Sequence, residues 1–261
     1  MVDFLLQSRY NYDQLIEIIR ILRSEEGCPW DREQTHESIR RNFLEETYEA
    51  VEAIDLRDLE LLREELGDVL LQVVLHAQIA REAGEFTIDD VVDGLCKKLI
   101  VRHPHVFGSV EVSGAGEVLR NWDAIKSETK GIESRTEAMN SIARSLPSLM
   151  RAEKIQAKAA SVGFDWEEIG GALDKLQEEV DELRAAIPDG QAVEELGDVL
   201  FAAVNVARFL KTDAEHTLER ASEKFVARFS HMEKKAAEGG RPLSDLTLGE
   251  MDVLWEESKR A

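Results

Sequence analysis

Apolar residues recur at helical spacing along almost the whole chain. Near the start, for example, Tyr12, Leu15, Ile16, Ile19 and Leu22 follow the i, i+3, i+4, i+7 pattern of one helix face. No segment alternates apolar and polar side chains as a half-buried strand does. The pattern therefore predicts an all-α protein, with helices near residues 10–23, 33–54, 57–83, 87–101, 116–128, 138–160, 166–186, 190–211, 213–237 and 247–259.

The chain contains an internal repeat. The heptad EELGDVL occurs at residues 64–70 and again, unchanged, at residues 194–200. Each copy follows a Glu-Glu-x-x-Glu motif and precedes a Lys-x-x-x-Arg motif and then a Trp-x-x-x-Lys motif. Landmarks that recur in the same order indicate a duplication. We expect one domain at residues 1–130, a linker at 131–137 and a second domain at 138–261, each a bundle of about five helices.

Composition narrows the functional class. Hydrophobic residues make up 43% and charged residues 33% of the chain, as in soluble globular proteins, and the net charge is −21. Binding to duplex nucleic acid or to a membrane surface needs a basic footprint, so both roles are disfavoured. Cys28 and Cys96 form neither a disulfide framework nor a zinc motif. The most apolar segments are interrupted by polar residues, so we expect no membrane span and a cytoplasmic location.

The residues that best suit chemistry are carboxylates. In each half, two consecutive helices carry acidic residues three positions apart, and this spacing places both on one helix face. Short connections at 55–58 and 187–190 predict antiparallel hairpins that bring four carboxylates together. The four are Glu46, Glu49, Glu65 and Asp68 in the first half, and Glu179, Glu182, Glu195 and Asp198 in the second.

Carboxylates this close repel one another unless a cation compensates them. Mg²⁺ prefers oxygen ligands and often binds carboxylates together with substrate phosphates, so the hairpins predict a Mg²⁺ site, with Mn²⁺ as an alternative. One or two such ions could support phosphoryl chemistry. A glycine inside each heptad, Gly67 or Gly197, would leave room for another backbone or for the water shell of the metal. The alternative is a solvated acidic face, against which the apolar neighbours and the recurrence argue.

Cationic and aromatic residues also recur. Lys98 with Arg102, and Lys224 with Arg228, are i, i+4 pairs that could bind phosphate or simply face solvent. Trp122 and Trp255 could stack on a base or belong to the core, and His103 and His105 could bind metal or end a helix. The sequence contains no glycine-rich phosphate loop and no nucleophile constellation. Any hydrolysis must therefore depend on metal and water.

These motifs resemble those of a known family. CPWD, EETYEAVEAI, EELGDVLLQVV and RHPHVFG, followed by RSLPSLMRAEKIQ, GFDW and EELGDVLFAAVN, are similar to two-domain bacterial MazG proteins over nearly the whole chain. The resemblance implies hydrolysis of an NTP or dNTP between the α and β phosphates, which yields a nucleoside monophosphate and pyrophosphate. It also implies a Mg²⁺ cofactor, a homodimer, and a role in clearing non-standard or excess nucleotides or in the stress response.

The resemblance also suggests roles for individual residues. It places metal ligands at Glu179, Glu182, Glu195 and Asp198, with Glu178 in the same catalytic motif. Substrate contacts fall on Lys175, Glu179, Lys224, Arg228 and Trp255. Either Glu178 or a ligating glutamate could accept the proton from water.

The second domain is the favoured catalytic unit, because Asn42 stands where the second copy has Lys175. Gln191 occupies a position where another basic residue is expected. Three alternatives are a metal-dependent nucleotide sensor, an acidic helical partner-binding protein and an enzyme that cleaves the β–γ bond.

Overall fold

The structure, a computed structural model, describes residues 4–129, 131, 134–188 and 190–260. Regular structure in these residues is helical, without strands, which confirms the predicted all-α fold. The chain divides into two compact units, residues 1–126 and 127–261. None of the helices in the described residues is long and apolar enough to cross a membrane.

The first half of the chain begins with a helix whose capping is visible in the sequence. Asn11 caps α1 by accepting a hydrogen bond from the backbone of Gln14, and the Gln14 side chain bonds back to Asn11. The helices of this half are α1 (Tyr12–Leu22), α2 (Pro29–Glu33), α3 (Arg40–Leu56), α4 (Leu59–Ala83), α5 (Ile88–Arg102), α6 (Pro104–Phe107) and α7 (Ala115–Thr129).

The second half repeats the long helical hairpin. Its helices are α8 (Arg135–Asn140), α9 (Ser148–Ala160), α10 (Ile169–Ala186), α11 (Ala192–Phe209), α12 (Ala214–Glu238) and α13 (Leu248–Ser258), with a 3₁₀ turn at Leu243–Asp245. Helix α8 begins inside the segment expected as a linker, and the domain boundary at residues 131–137 remains a prediction.

Two predicted helices differ from those observed. The helix expected at 33–54 begins only at Arg40. Before it, the hydroxyls of Thr35 and Ser38 bond to each other's backbone N–H, an arrangement that competes with helix formation. The helix expected at 138–160 is two helices, α8 and α9, because Pro147 disfavours helical backbone at the residue before it.

The predicted hairpins are present in both units. Helices α3 and α4 pack closely and are joined through Arg57, in the left-handed conformation, and Asp58, which caps α4. Helices α10 and α11 also pack closely across a short connection. In the N-terminal unit the core next to the hairpin contains Ile19, Ile39, Val74 and Leu75. The hairpins are therefore the frame on which the acidic residues are held.

Candidate active site

Three acidic side chains converge on the C-terminal hairpin. Glu179 on α10 and Glu195 and Asp198 on α11 each offer a carboxylate oxygen, and these oxygens lie within 4.8 Å of one another. Glu179 is only 6% exposed. Glu195 and Asp198 share a helix face because they are three residues apart. The hairpin thus gathers anionic oxygen ligands at a distance that suits one hard cation.

Glu182, the fourth expected ligand, lies outside this close group but within its electrostatic field. Burial is the main cause that raises its pKa, followed by the charge of Glu179, and Glu178 and Glu195 add to the effect. The charge of Lys175 acts in the opposite direction. A raised carboxylate pKa is the expected result of crowding like charges without a compensating cation.

Lys175 compensates part of that negative charge. Its Nζ atom lies 2.8 Å from Oε1 of Glu178 and 2.6 Å from Oε1 of Glu179. Hydrogen bonds to Glu178 and then to Glu179 raise the pKa of Lys175 above its usual value. The ammonium group is therefore fixed beside the carboxylates.

The N-terminal hairpin has a similar acidic group. Oxygens of Glu46, Glu49 and Glu65 lie within 4.8 Å of one another, and Glu65 is 9% exposed. Burial and then the charge of Asp68 raise the pKa of Glu46. Burial and then the charge of Glu49 raise the pKa of Glu65, and Asp68 adds to that effect. All four predicted acids of this half therefore interact.

A cavity of about 420 Å³ adjoins the C-terminal carboxylates. Lys175, Glu179 and Asp198 line it. Its volume lies within the range of small-molecule sites. The other residues that line the cavity are Ile155, Gln156, Ala159, Phe164, Asp165, Trp166, Phe201, Ala202, Asn205 and Arg208.

The cavity extends along α11, away from the acidic residues. Asp198, Phe201, Asn205 and Arg208 follow one face of the helix, and Asn205 lies about 10 Å along the axis from Asp198. Arg208 forms an ion pair with Asp165, from Nη1 to Oδ2, at 2.9 Å. The cavity therefore has a charged end at the carboxylates and a second end at Asn205 and Arg208.

Sequence reasoning did not assign a role to the residues of this second end. Gln156, Asp165, Trp166 and Asn205 all lie within motifs that carry the family resemblance, RAEKIQ, GFDW and EELGDVLFAAVN. A signal was available, since Asn205 stands in an otherwise strongly apolar stretch of α11. Its burial, however, depends on the packing of α9 against α11.

The predicted phosphate-binding residues form a different group. Arg228 on α12 places its guanidinium carbon 5.6 Å from the ring centre of Trp255 on α13, and the Phe225 ring lies 5.1 Å from the same ring. Among the described residues, Lys224, Arg228 and Trp255 are not part of the cavity lining.

The first half repeats this contact, with Arg102 lying 5.5 Å from the ring centre of Trp122. His103 ends α5, and its Nδ1 lies 2.6 Å from the carbonyl oxygen of Leu99. The interpretation of this histidine as a helix end agrees with that position.

The glycines of the two heptads face open space. A methyl group on Gly67 or Gly197 would meet no atom of the described residues within 4 Å, apart from its own helix. Among the described residues, therefore, no second backbone approaches either glycine. Of the two roles predicted for these glycines, close approach of a backbone is not seen in this part of the chain, and room for the water shell of a metal stays a prediction.

Together, the fold and site define an all-α protein whose helical hairpins concentrate carboxylates, in one half beside a cavity of small-molecule size. Residues 34–107 and 171–236 match the MazG nucleotide pyrophosphohydrolase domain. The chain belongs to this family.

Two similar proteins span nearly the same length. The chain is 46% identical to the nucleoside triphosphate pyrophosphohydrolase/pyrophosphatase MazG of Thermotoga maritima, over 95% of each chain. It is 44% identical to a nucleoside triphosphate pyrophosphohydrolase of Escherichia coli, over 95% of this chain and 97% of that one. It is also 46% identical to the uncharacterized protein YabN of Bacillus subtilis, over 96% of this chain but only 52% of that longer protein.

Proposed function

We propose that this protein hydrolyses nucleoside triphosphates between the α and β phosphates at its C-terminal site, with Mg²⁺ as cofactor. The observation that carries the proposal is the position of Lys175, Glu179 and Asp198 in the wall of the cavity. A cation site alone would need only the acids. A nucleotide site also needs an adjoining space for the nucleoside, and this cavity supplies it.

The donor set fits a hard divalent cation. Glu179, Glu195 and Asp198 supply carboxylate oxygens, and Glu182 lies one turn away on α10. Mg²⁺ suits such ligands, and Mn²⁺ is an alternative. When bound, the cation would supply positive charge against the triphosphate and promote the ionisation of water.

The residues of the chain then have separate tasks in the reaction. Lys175 neutralises charge on the phosphate tail, because its Nζ atom lies beside Glu179, a residue that would hold the cation and, through it, the phosphates. A water oxygen forms a bond to the α-phosphorus while the bond from that phosphorus to the bridging oxygen breaks. Pyrophosphate leaves with the bridging oxygen, and the proton of the water passes to Glu178 or to a ligating glutamate.

We assign Lys224, Arg228 and Trp255 to the outer part of the substrate site. The Arg228–Trp255 contact holds the guanidinium group over an aromatic ring, from which it can bind a phosphate. An Arg228→Ala variant should raise KM for the nucleotide by about tenfold, since one charge-assisted hydrogen bond contributes about 1.5–3 kcal/mol. An unchanged KM would remove Arg228 from the site.

We also propose a homodimer as the working form. Large apolar side chains of the hairpin helices remain exposed, among them Leu173 at 46%, Leu196 at 48% and Leu200 at 51%. Exposed apolar side chains one helical turn apart, such as Leu196 and Leu200, are typical of a helix face that packs against a partner. A Leu196→Glu/Leu200→Glu variant should sediment as a smaller species than the wild type, and identical sedimentation would contradict the dimer.

The decisive experiment identifies the products. The purified protein is incubated with each of the common NTPs and dNTPs and Mg²⁺, and pyrophosphate is distinguished from phosphate. We expect nucleoside monophosphate and pyrophosphate from the wild type, and near-complete loss of turnover in Asp198→Asn with its helical circular dichroism retained. Asp68→Asn provides the matched control in the other heptad. Release of phosphate instead, or wild-type turnover in the Asp68→Asn/Asp198→Asn double variant, would contradict the proposal.

The cellular role that fits this chemistry is control of the nucleotide pool. The acids and Lys175 interact with groups that every triphosphate shares, so non-standard and excess nucleotides are equally acceptable at this end of the site. Discrimination among bases therefore has to come from the other end of the cavity.

A further inference from the structure

The end of the cavity away from the carboxylates contains two buried amides. Gln156 on α9 and Asn205 on α11 both line the cavity, and each is only 7% exposed. The surrounding wall is mostly apolar and includes Ile155, Phe164 and Phe201. Buried polar side chains in such surroundings normally have all of their hydrogen-bonding atoms paired.

Gln156 has one atom that is not paired. Its Nε2 atom donates a hydrogen bond of 2.7 Å to the backbone carbonyl of Phe201, which fixes the orientation of the amide. Its Oε1 atom is buried and accepts no hydrogen bond from any described residue. An unpaired buried acceptor is destabilising by about 1–3 kcal/mol, so this atom is suited to a donor that arrives with a ligand.

In Asn205 the amide oxygen is the atom that is held, and the amide nitrogen is available. Its Oδ1 atom accepts a hydrogen bond of 2.9 Å from Nε of Arg208. Arg208 is itself held by Asp165, and this hydrogen bond is the largest cause that lowers the pKa of the Asp165 carboxyl. Because Oδ1 faces Arg208, the Nδ2 group is the part of Asn205 that can donate to a ligand. No described residue accepts a hydrogen bond from it.

We infer that Gln156 and Asn205 recognise the edge of the nucleobase, with Gln156 Oε1 accepting a hydrogen bond from a base N–H and Asn205 Nδ2 donating to a neighbouring ring nitrogen or carbonyl. This inference rests on the proposed function. Asn205 lies about 10 Å along α11 from Asp198, which leaves space for the sugar between the two ends. Trp166 and Phe164 provide aromatic walls against which a base can stack.

The pairing predicts a class of ligand. A base with an N–H donor beside an acceptor satisfies both amides, whereas a polyphosphate without a base leaves both unsatisfied. Pockets built to hydrogen-bond a substrate discriminate strongly against analogues that lack the matching group. A nucleotide should therefore bind more tightly than inorganic tripolyphosphate, although both carry three phosphates.

Calorimetric titration of the full chain in the presence of Mg²⁺ tests this inference. The probes are the α,β-methylene analogues of ATP, GTP, CTP and UTP, which resist cleavage at the proposed bond, and inorganic tripolyphosphate. The informative variant is Asn205→Asp, because it retains an acceptor for Arg208 and removes the Nδ2 donor. It also adds a negative charge, and the tripolyphosphate probe reports the general effect of that charge on phosphate binding. We expect the Kd of the tightest analogue to rise by about 10- to 100-fold while the Kd of tripolyphosphate stays unchanged.

Gln156→Leu should give the same pattern, and the chain offers a matched control. Gln72 on α4 is also a buried glutamine, 5% exposed, with an unpaired Oε1, but it does not line this cavity. Gln72→Leu should leave the binding of every probe unchanged. Circular dichroism and thermal unfolding monitor folding, and Asn205→Asp remains informative if Gln156→Leu does not fold.

Two results would overturn the base-recognition role. One is wild-type binding of the analogues no tighter than that of tripolyphosphate. The other is an Asn205→Asp variant that leaves the tightest analogue unaffected, or that weakens tripolyphosphate to the same extent. The proposed function fails separately, when the wild type binds the analogues but releases no pyrophosphate from the natural nucleotides.

Discussion

The two halves of the chain share their acidic residues but differ in what surrounds them. Both hairpins hold three carboxylate oxygens within 4.8 Å, and both heptads are identical. Seven residues beyond the aspartate, however, the C-terminal half has Asn205 in the cavity wall and the N-terminal half has Leu75 in the hydrophobic core. We therefore propose the nucleotide site in the C-terminal half, where a cavity of small-molecule size adjoins the carboxylates.

A buried arginine joins three segments of the N-terminal half. The Arg23 side chain is 5% exposed and forms an ion pair of 2.8 Å with Glu82 on α4. It also donates to the backbone carbonyls of Asp31 and Gln34, which fixes the segment that contains CPWD. In the C-terminal half a different arginine contact, Arg208 with Asp165, lies in the cavity wall. Similar chemistry thus secures packing in one half and lines a cavity in the other.

The largest expected difference concerns turnover. Glu195→Gln should lower the rate of pyrophosphate release by more than about 100-fold, because it removes charge needed to hold the cation. Glu65→Gln, the same change in the other heptad, should alter the rate by less than about twofold, since Glu65 does not line either of the two cavities described in that half. Steady-state kinetics with Mg²⁺ compare the two. Equal losses would mean that both halves act in catalysis.

The second prediction concerns stability, which should depend strongly on the buried arginine of the N-terminal half. Arg23→Leu should lower the free energy of unfolding by about 2–3 kcal/mol, because Glu82 and two backbone carbonyls lose their donor. The control is Arg20→Leu, one turn earlier, where the pair with Glu17 is exposed to solvent and contributes little to stability. Urea unfolding followed by circular dichroism measures both. Similar midpoints for the two variants would contradict a structural role for Arg23.

A third comparison exchanges the residue that precedes the acids. Lys175→Asn, which introduces the residue found at Asn42, should reduce kcat/KM by about tenfold through loss of a charge-assisted contact to phosphate. The reciprocal Asn42→Lys should create no additional turnover, and it is measured in the Glu195→Gln background to expose any weak activity. A kcat/KM of Lys175→Asn equal to that of the wild type would remove the lysine from the substrate site.

The smallest expected effect is the pH dependence of stability that a histidine pair in the N-terminal half contributes. Nδ1 of His36 lies 2.7 Å from Nδ1 of His76, and both histidines line a second cavity, in the N-terminal half, together with Arg40. Burial, followed by the charge of His36, lowers the pKa of His76 from 6.5. The unfolded chain therefore binds this proton more readily, so stability is complete above pH 6.5 and falls as the pH decreases towards the lower pKa of the folded state.

Urea unfolding at pH 7.5 and 5.5 checks this dependence. The loss of stability on acidification should be smaller in His76→Gln than in the wild type. Taking the difference between the two proteins cancels the opposite contribution of the carboxylates whose pKa is raised. The same loss in both proteins would exclude His76 as the source.

Local spacing accounts for the part of this architecture that the sequence predicts. Helical periodicity and short connections predict the hairpins, and acids three residues apart must share a face of each helix. The start of α3 at Arg40 was not predicted, because the bonds between Thr35 and Ser38 depend on side-chain conformation. The cavity was not predicted either, since it arises from the packing of α9 and α11, which are distant in sequence. The sequence shows that Leu75 and Asn205 differ at equivalent positions of the repeat, but only the packing shows that one lies in the core and the other in a cavity wall.

Because space is open beside both Gly67 and Gly197, the same Gly→Ala substitution can be compared at two equivalent positions of the repeated heptad. Alanine in place of glycine favours a helix by about 1 kcal/mol, and no described atom opposes the added methyl group at either position. The effect of this substitution on thermal stability can thus be measured twice in one polypeptide, in two identical heptads. A gain in heat tolerance from Gly67→Ala that Gly197→Ala does not match would reveal what approaches the C-terminal heptad from outside the chain.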